Sequence, residues 1–285
     1  MRLCRCTLIS VLFAGALLTG FLAVFGATDA EIEAAFARGA NWLVDQQRED
    51  GSWGEGYVVA TTSFVLSVLH QDAYRLGFSN PFNSDYEHVS AVRAGWKYLL
   101  APGQLMVAAP LPPQDHTEGA SGTVDDPGVN GNGYGLYYPG EGFQIYTTGV
   151  FLIALGTTGS PEMPNHGHAD FDDDREPYSY LTIAQDIVDF LSFAYVDEEP
   201  NAGGWYGLAV GNGGAGADQS RSGYVTVGLL RAEAFGAVVP RWLKGELGAW
   251  IDYIQCEDGG ADYTVPAGSN MYRTGGLLAQ MALIG

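Results

Sequence analysis

The densest group of chemically active side chains is an acidic segment near the middle of the chain. It holds two histidines and four aspartates, namely His166, His168, Asp170, Asp172, Asp173 and Asp174. Asp170, Asp172 and Asp174 alternate and can converge on Ca²⁺, which takes roughly six to eight oxygen ligands. His166 and His168 with Asp170 form an alternative set for Zn²⁺. A third interpretation is a solvated acidic loop that binds nothing.

Aromatic and arginine side chains form a second group, suited to binding. Aromatic rings stack on sugar rings or line apolar cavities, and arginine binds carboxylates through a planar fork of donors. Arg221 and Arg273 occupy nearly equivalent positions at the starts of two apolar segments. The alternative for both is packing at a helix end or pairing with the abundant acids. The candidate ligand-binding residues are Tyr146, Trp205, Arg221, Tyr224, Tyr272 and Arg273.

Internal repeats predict the elements that position these side chains. Residues 42–51 align without gaps with residues 250–259, and shorter copies begin at Trp96 and Phe190. An apolar segment that opens with a pair of small residues follows each copy. The pairs are Thr62-Ser63, Thr148-Gly149, Ser222-Gly223 and Thr274-Gly275. Such periodicity is typical of arrays in which each repeat buries the face of its neighbour.

Each repeat predicts a helical hairpin made of an amphipathic outer helix, a glycine-rich turn and an apolar inner helix. The four hairpins define an all-α fold. The inner segments are 63–76, 149–155, 223–235 and 275–284. Two long insertions rich in Gly, Pro and Asp, residues 102–143 and 157–178, interrupt the array.

The repeated turn residues have a structural interpretation. A glutamine at the end of an outer helix can satisfy its orphaned backbone groups, and a tryptophan can stack on that amide. Glycine supplies the positive φ of a helix stop. The residues concerned are Trp42, Gln47, Gly51, Trp53, Gly204, Trp205, Trp250, Gln255 and Gly259.

Residues 38–53 match the QW motif at every defining position, and residues 244–259 match it with Ala261 in place of the final Trp. The chain therefore resembles the prenyltransferase and squalene oxidase repeat proteins of the terpenoid cyclase superfamily. The resemblance implies an α/α toroid over residues 31–285 with a central cavity for an apolar or isoprenoid ligand. Four hairpins make a partial toroid. Three alternatives follow: the ring is open, the sequence is a fragment of a longer toroid, or self-association or a partner completes the ring.

The resemblance also bears on the acidic segment. Asp170, Asp172 and Asp173 are similar to the DxDD motif with which squalene–hopene-type cyclases protonate an isoprenoid. Clustering and burial keep such an acid protonated. Here the motif lies in the second insertion, whereas the cyclases carry it on an inner helix. Two alternatives stay open: a polysaccharide lyase-like or glycan-binding toroid, and a non-enzymatic scaffold or interaction module of the cell envelope.

Composition and the N-terminal segment bear on the partners and the location of the protein. The 33 acidic residues exceed the 13 Lys and Arg, a net charge of −20, which argues against nucleic acid as a partner. Arg2 and Arg5 precede an apolar run from Leu8 to Ala27. Residues 1–27 therefore predict a secretory signal, or an anchor if the segment stays uncleaved. Of the two metals considered for the acidic segment, the sequence favours calcium.

Overall fold

A computed structural model describes residues 27–108, 111, 129–140, 143–164, 178–197, 200–207 and 216–285. Within these ranges the chain forms eight helices and one two-stranded sheet, so the predicted all-α class is confirmed. The helices are α1 (Asp29–Asp45), α2 (Val58–Arg75), α3 (Val89–Leu99), α4 (Gln144–Thr157), α5 (Tyr180–Phe193), α6 (Gln219–Phe235), α7 (Arg241–Ile254) and α8 (Met271–Ile284). Outer helices α1, α3, α5 and α7 alternate along the chain with inner helices α2, α4, α6 and α8.

The first insertion contains secondary structure that the sequence did not predict. Strands β1 (Met106–Ala108) and β2 (Gly135–Tyr137) pair antiparallel, with Val107 opposite Leu136. A three-residue strand carries too few side chains to show a period of two. Strand β2 packs against α5 and so joins the insertion to the helical core.

The inner helices begin about one turn before the predicted starts. Asp218 caps α6, because its carboxylate accepts from the N–H groups of Ser220 and Arg221. Asn270 caps α8 in the same way and accepts from the N–H of Arg273. Each cap stabilises its helix by about 1 kcal/mol. The small-residue pairs therefore lie in the second turn of each inner helix.

Glycines allow the inner helices to pack closely in chain order. Helix α4 contacts α2 and α6, and α6 contacts α8. A Cβ on Gly149 of α4 would lie 3.0 Å from Cα of Val225 on α6, and one on Gly228 would lie 2.7 Å from the Gly149 carbonyl oxygen. Side chains are buried along nearly the whole of α4. Helix α4 therefore fills the space between its neighbours.

One hydrogen bond recurs in all four repeats and sets their register. In each, the backbone N–H of a turn residue donates to a hydroxyl oxygen on the inner helix, over 2.9–3.1 Å. Every acceptor is the first member of a small-residue pair, which explains why threonine or serine recurs there. The pairs are Trp53 with Thr62, Tyr138 with Thr148, Trp205 with Ser222, and Ala261 with Thr274.

The repeated Trp and Gln side chains bind backbone carbonyls at the turns. The indole N–H of Trp53 donates to the carbonyl of Leu43, and that of Trp205 to the carbonyl of Leu191. These carbonyls lie in the last turn of an outer helix, where the regular intrahelical partners end. The Leu43 carbonyl also accepts from the backbone N–H of Gln46. The amide of Gln47 donates to carbonyls at Gly51 and at Ala91 of α3. The amide of Gln255 donates to the Gly259 carbonyl.

Three turn glycines have positive φ, and one of them differs from the prediction. Gly51 has φ 89° and Gly259 has φ 86°. In the third repeat the residue with positive φ is Gly203, at 82°, and not Gly204. Gly204 instead makes room for a neighbour, since a Cβ there would lie 2.8 Å from the ring of Trp250.

Aromatic residues on three outer helices contact the preceding repeat. The indole of Trp96 donates to Nε2 of His70, and the indole of Trp250 donates to the side-chain oxygen of Gln219. Phe190 stacks on Tyr137 with 4.7 Å between ring centroids. Each of these three outer side chains is almost fully buried, so this contact anchors one repeat to the next.

Contacts divide the chain into two units, Met1–Trp42 and Leu43–Gly285. The described part of the first unit is mostly helix, with Ile32, Phe36 and Trp42 exposed. The second unit contains helices α2 to α8 and both strands. Within the described ranges, none of the helices has the length and apolarity needed to cross a bilayer. The predicted signal segment lies outside these ranges.

Candidate functional site

The N-terminal halves of α6 and α8 enclose a solvent-open cleft of about 420 Å³. This volume falls within the usual range of small-molecule sites, roughly 300–1,000 Å³. Most of the lining surface is apolar. The lining residues are Gln219, Ser220, Gly223, Tyr224, Val227, Asn270, Tyr272, Arg273, Gly275 and Gly276.

Glycines create this cleft by bringing the two helix backbones together. A Cβ on Gly223 of α6 would lie 3.1 Å from Cα of Gly276, and one on Gly276 would lie 3.2 Å from Cα of Gly223. The helices therefore touch through their backbones at this crossing. Gly275, one residue earlier, faces open space, since a Cβ there would have no other atom within 4 Å. Two small residues in sequence thus provide both a helix contact and an open cleft surface.

Aromatic side chains form one wall and link the cleft to α2 and α4. Tyr224 packs edge-to-face on Tyr146, with 5.1 Å between centroids, and on Phe64, with 5.6 Å. Tyr146 in turn contacts Tyr57 at 6.4 Å. Such ring pairs each contribute about 0.5–1.5 kcal/mol beyond the area they bury. Burial raises the pKa of Tyr146, so its hydroxyl stays neutral.

Tyr57 adds local strain beside this aromatic wall. It precedes α2 with φ 49° and is the one non-glycine residue of positive φ in the described ranges. A bulky side chain in this conformation costs on the order of 1–3 kcal/mol, which the surrounding contacts must offset. Its ring packs edge-to-face on Phe143 at 5.1 Å. It also borders a second cavity of about 240 Å³, between α2 and the segment Tyr138–Gly140.

The two candidate arginines are both engaged by acids and aromatic rings. Arg273 lines the cleft, lies 3.5 Å from Asp262 and stacks over Tyr263 at 4.6 Å. Arg221 pairs with Asp218 at 3.2 Å and lies 5.3 Å from the rings of both Phe143 and Tyr206. The positive charge of both guanidinium groups is therefore offset locally. Both arginines therefore pair with acids, which was the alternative to ligand binding in the sequence analysis.

The remaining candidates divide into a rim residue, a buried residue and a segment outside the described ranges. Tyr272 is 88% exposed beside the cleft, and Tyr224 is 39% exposed. Trp205 is fully buried with its indole bonded to Leu191, so it is not at the rim. The predicted acid and metal ligands between His166 and Asp174 fall outside the described ranges.

The described residues that line the cleft carry amide, hydroxyl, phenol and guanidinium groups. Among these residues there is no His, Cys, Asp or Glu. Across the described ranges, no group of three or more such side chains is arranged to hold a metal ion. Amide, hydroxyl and guanidinium groups on an apolar surface can orient a ligand.

Gln219 is a site residue that the repeat pattern did not single out. Its side-chain oxygen accepts from the Trp250 indole, and its amide donates to the Arg273 carbonyl and to Gln280. Its backbone N–H donates to the Tyr263 carbonyl. A glutamine at the start of an apolar inner helix was the available signal. The residue fixes α6 and α8 together on one side of the cleft.

Comparisons of the chain with protein-family models, with curated proteins and with solved structures returned no match. The function of the site therefore has to be inferred from its geometry.

Proposed function

We propose that this protein binds a small, largely apolar ligand of isoprenoid-like chemistry in the cleft between α6 and α8. The observation that carries the proposal is a cleft of about 420 Å³ whose lining is mostly apolar and free of described carboxylate, imidazole and thiol groups. Burial of apolar ligand surface contributes about 25 cal/mol per Å². Val227, the Tyr224 ring and the glycine backbones of both helices supply this surface.

The wider architecture supports the same class of ligand. Four helical repeats in series, with a recurrent turn-to-helix hydrogen bond, are consistent with part of an α/α toroid of the terpenoid cyclase type. The proposed site lies between the inner helices α6 and α8. It does not lie between α4 and its neighbours, because the side chains of α4 fill that space. Export through residues 1–27 belongs to the proposal and is supported by the sequence alone.

Gly275→Leu tests the site directly. Gly275 lines the cleft and a Cβ there would have no other atom within 4 Å, so we expect the leucine side chain to occupy the cleft. Gly248→Leu is the matched control, because Gly248 lies on α7 with open space around its Cβ position and does not line the cleft. The measurement is isothermal titration of each protein with farnesol. We expect Gly275→Leu to weaken farnesol binding at least tenfold and Gly248→Leu to leave it unchanged.

Two results would contradict the proposal. If the native protein shows no farnesol binding up to millimolar concentration, the ligand class is wrong. If both leucine variants bind as well as the native protein, the ligand occupies another surface.

The exposed ring of Tyr272 favours a second candidate, the binding of a neutral glycan. An 88% exposed tyrosine beside a cleft is a suitable stacking platform for a sugar ring. Titration with neutral oligosaccharides tests this function. Binding that is lost in Tyr272→Ala and retained in Gly275→Leu would establish the glycan in place of the apolar ligand.

A further inference from the structure

Equivalent positions of the inner helices are buried in three repeats and exposed in the fourth. The recurrent hydroxyl bond fixes the alignment, so the residue four positions after each hydroxyl can be compared. These residues are Leu66, Leu152, Thr226 and Leu278. The first three are fully buried, whereas Leu278 on α8 is 62% exposed. In the first repeat, α3 of the next repeat covers this position, since a Cβ on Gly95 of α3 would lie 2.9 Å from the side chain of Leu66.

The outer helices show the same kind of difference, here in the first repeat of the sequence. Trp96, Phe190 and Trp250 are at most 3% exposed, and each contacts the repeat before it. Trp42, the equivalent residue of α1, is 61% exposed. Phe36 on the same helix is 52% exposed. Helix α1 thus presents the side chain that the other outer helices use to dock on a preceding repeat.

The turns repeat this pattern. A Cβ on Gly51 would collide with the Ala94 carbonyl of α3, and one on Gly203 with the Glu246 carbonyl of α7. Each of these turns is therefore covered by the outer helix of the next repeat. Gly259, with the same positive φ, has no atom within 4 Å of its Cβ position. The last turn has the geometry of a docking surface and an open face.

We propose that the chain associates with a second copy of itself head to tail, with α1 of one copy docked on α8 and the last turn of the other. Helix α1 fits as the occupant because it is equivalent to α3, the helix that covers the first turn. Ala37 of α1 aligns with Ala91 of α3, whose carbonyl accepts from the side-chain amide of Gln47. Gln255, the equivalent of Gln47, lies beside the open turn. Unlike surfaces meet in such a contact, so the assembly closes as a ring or extends as a filament. This inference stands apart from the proposed ligand.

Complementary variants test the orientation of the contact. Trp42→Asp disables the α1 surface, and Leu278→Asp disables the α8 surface. Val68→Asp is the matched control, because Val68 is an exposed inner-helix side chain, at 49%, on α2 and belongs to neither α1 nor α8. The measurement is the molar mass of the full chain by light scattering at about 50 μM, in reducing buffer because Cys256 is a free thiol.

We expect a dimer or larger assembly for the native chain and for Val68→Asp, and a monomer for each of the other variants. An equimolar mixture of Trp42→Asp and Leu278→Asp should form a dimer, because each contributes its intact surface. A monomeric native chain would overturn the inference. So would assembly that persists in both variants, or two monomeric variants that fail to combine.

Discussion

His70 shows how a single buried residue joins three helices. Its Nε2 accepts from the indole N–H of Trp96 on α3, which can act only as a donor. The imidazole is therefore neutral with its proton on Nδ1, and this N–H donates to the hydroxyl of Thr157 on α4 over 2.9 Å. Burial lowers the pKa of His70 to about 3. A protonated imidazole would leave the Trp96 indole facing a second donor.

The stability of the protein should depend on pH through His70. Its folded-state pKa lies below the unfolded value of about 6.5, so the unfolded chain binds more protons below that pH. The stabilisation is present above pH 6.5 and is lost as pH falls toward 3, by up to about 1.4 kcal/mol per pH unit. We expect the native protein to have a larger free energy of unfolding than the variant His70→Gln at pH 7.5. This gap between the two proteins should become smaller at pH 6 and pH 5.

Urea unfolding of the two proteins at these three pH values measures that gap, and other titrating groups cancel in the difference. A gap that stays constant across the range would show that His70 is not held neutral by the fold.

Glycine determines how closely the inner helices approach. The sequence holds 40 glycines, and five on the inner helices occupy crossing points where a Cβ would meet a neighbouring backbone: Gly149, Gly156, Gly223, Gly228 and Gly276. Glycine in a helix costs about 0.5–1 kcal/mol relative to alanine, which is acceptable only where a close contact offsets it. Glycines on α7 lack such contacts, since Gly245 and Gly248 face open space.

Alanine substitutions should therefore have opposite effects on the two kinds of helix. Gly149→Ala should destabilise the fold by about 1–3 kcal/mol, because its Cβ would lie 3.0 Å from Cα of Val225. Gly248→Ala should stabilise the fold by about 0.5–1 kcal/mol through helix propensity alone. Chemical denaturation of both variants against the native chain measures these changes. A stabilising Gly149→Ala would contradict the close α4–α6 crossing.

The alternation of outer and inner helices was predictable because the repeat places the same residue types at the same offsets. The exact starts of α6 and α8 were not, because the caps at Asp218 and Asn270 lie upstream of the small-residue pairs that look like helix starts. The sequence predicted positive φ at Gly204, whereas Gly203 has it. The prediction missed this because two adjacent glycines cannot be distinguished by sequence. The pairing of Arg221 with Asp218 and the burial of Trp205 depend on tertiary contacts that no spacing records.

At the scale of the whole molecule, the inner helices α2, α4, α6 and α8 pack in chain order, and a cleft lies between the last two of them. Helix α4 lies between α2 and α6, and its side chains are buried along nearly its whole length. The largest consequence concerns the ligand, which in this account contacts α6 and α8 rather than the acidic second insertion. The position of the bound ligand therefore decides between the cleft and the insertion.

The most direct measurement is photolabelling of the full chain with a diazirine analogue of farnesol, followed by peptide mass spectrometry. We expect labelled residues within 219–227 and 270–276, with labelling reduced by excess farnesol and by Gly275→Leu. Labelling confined to other parts of the chain, such as residues 1–27 or 157–178, would contradict it.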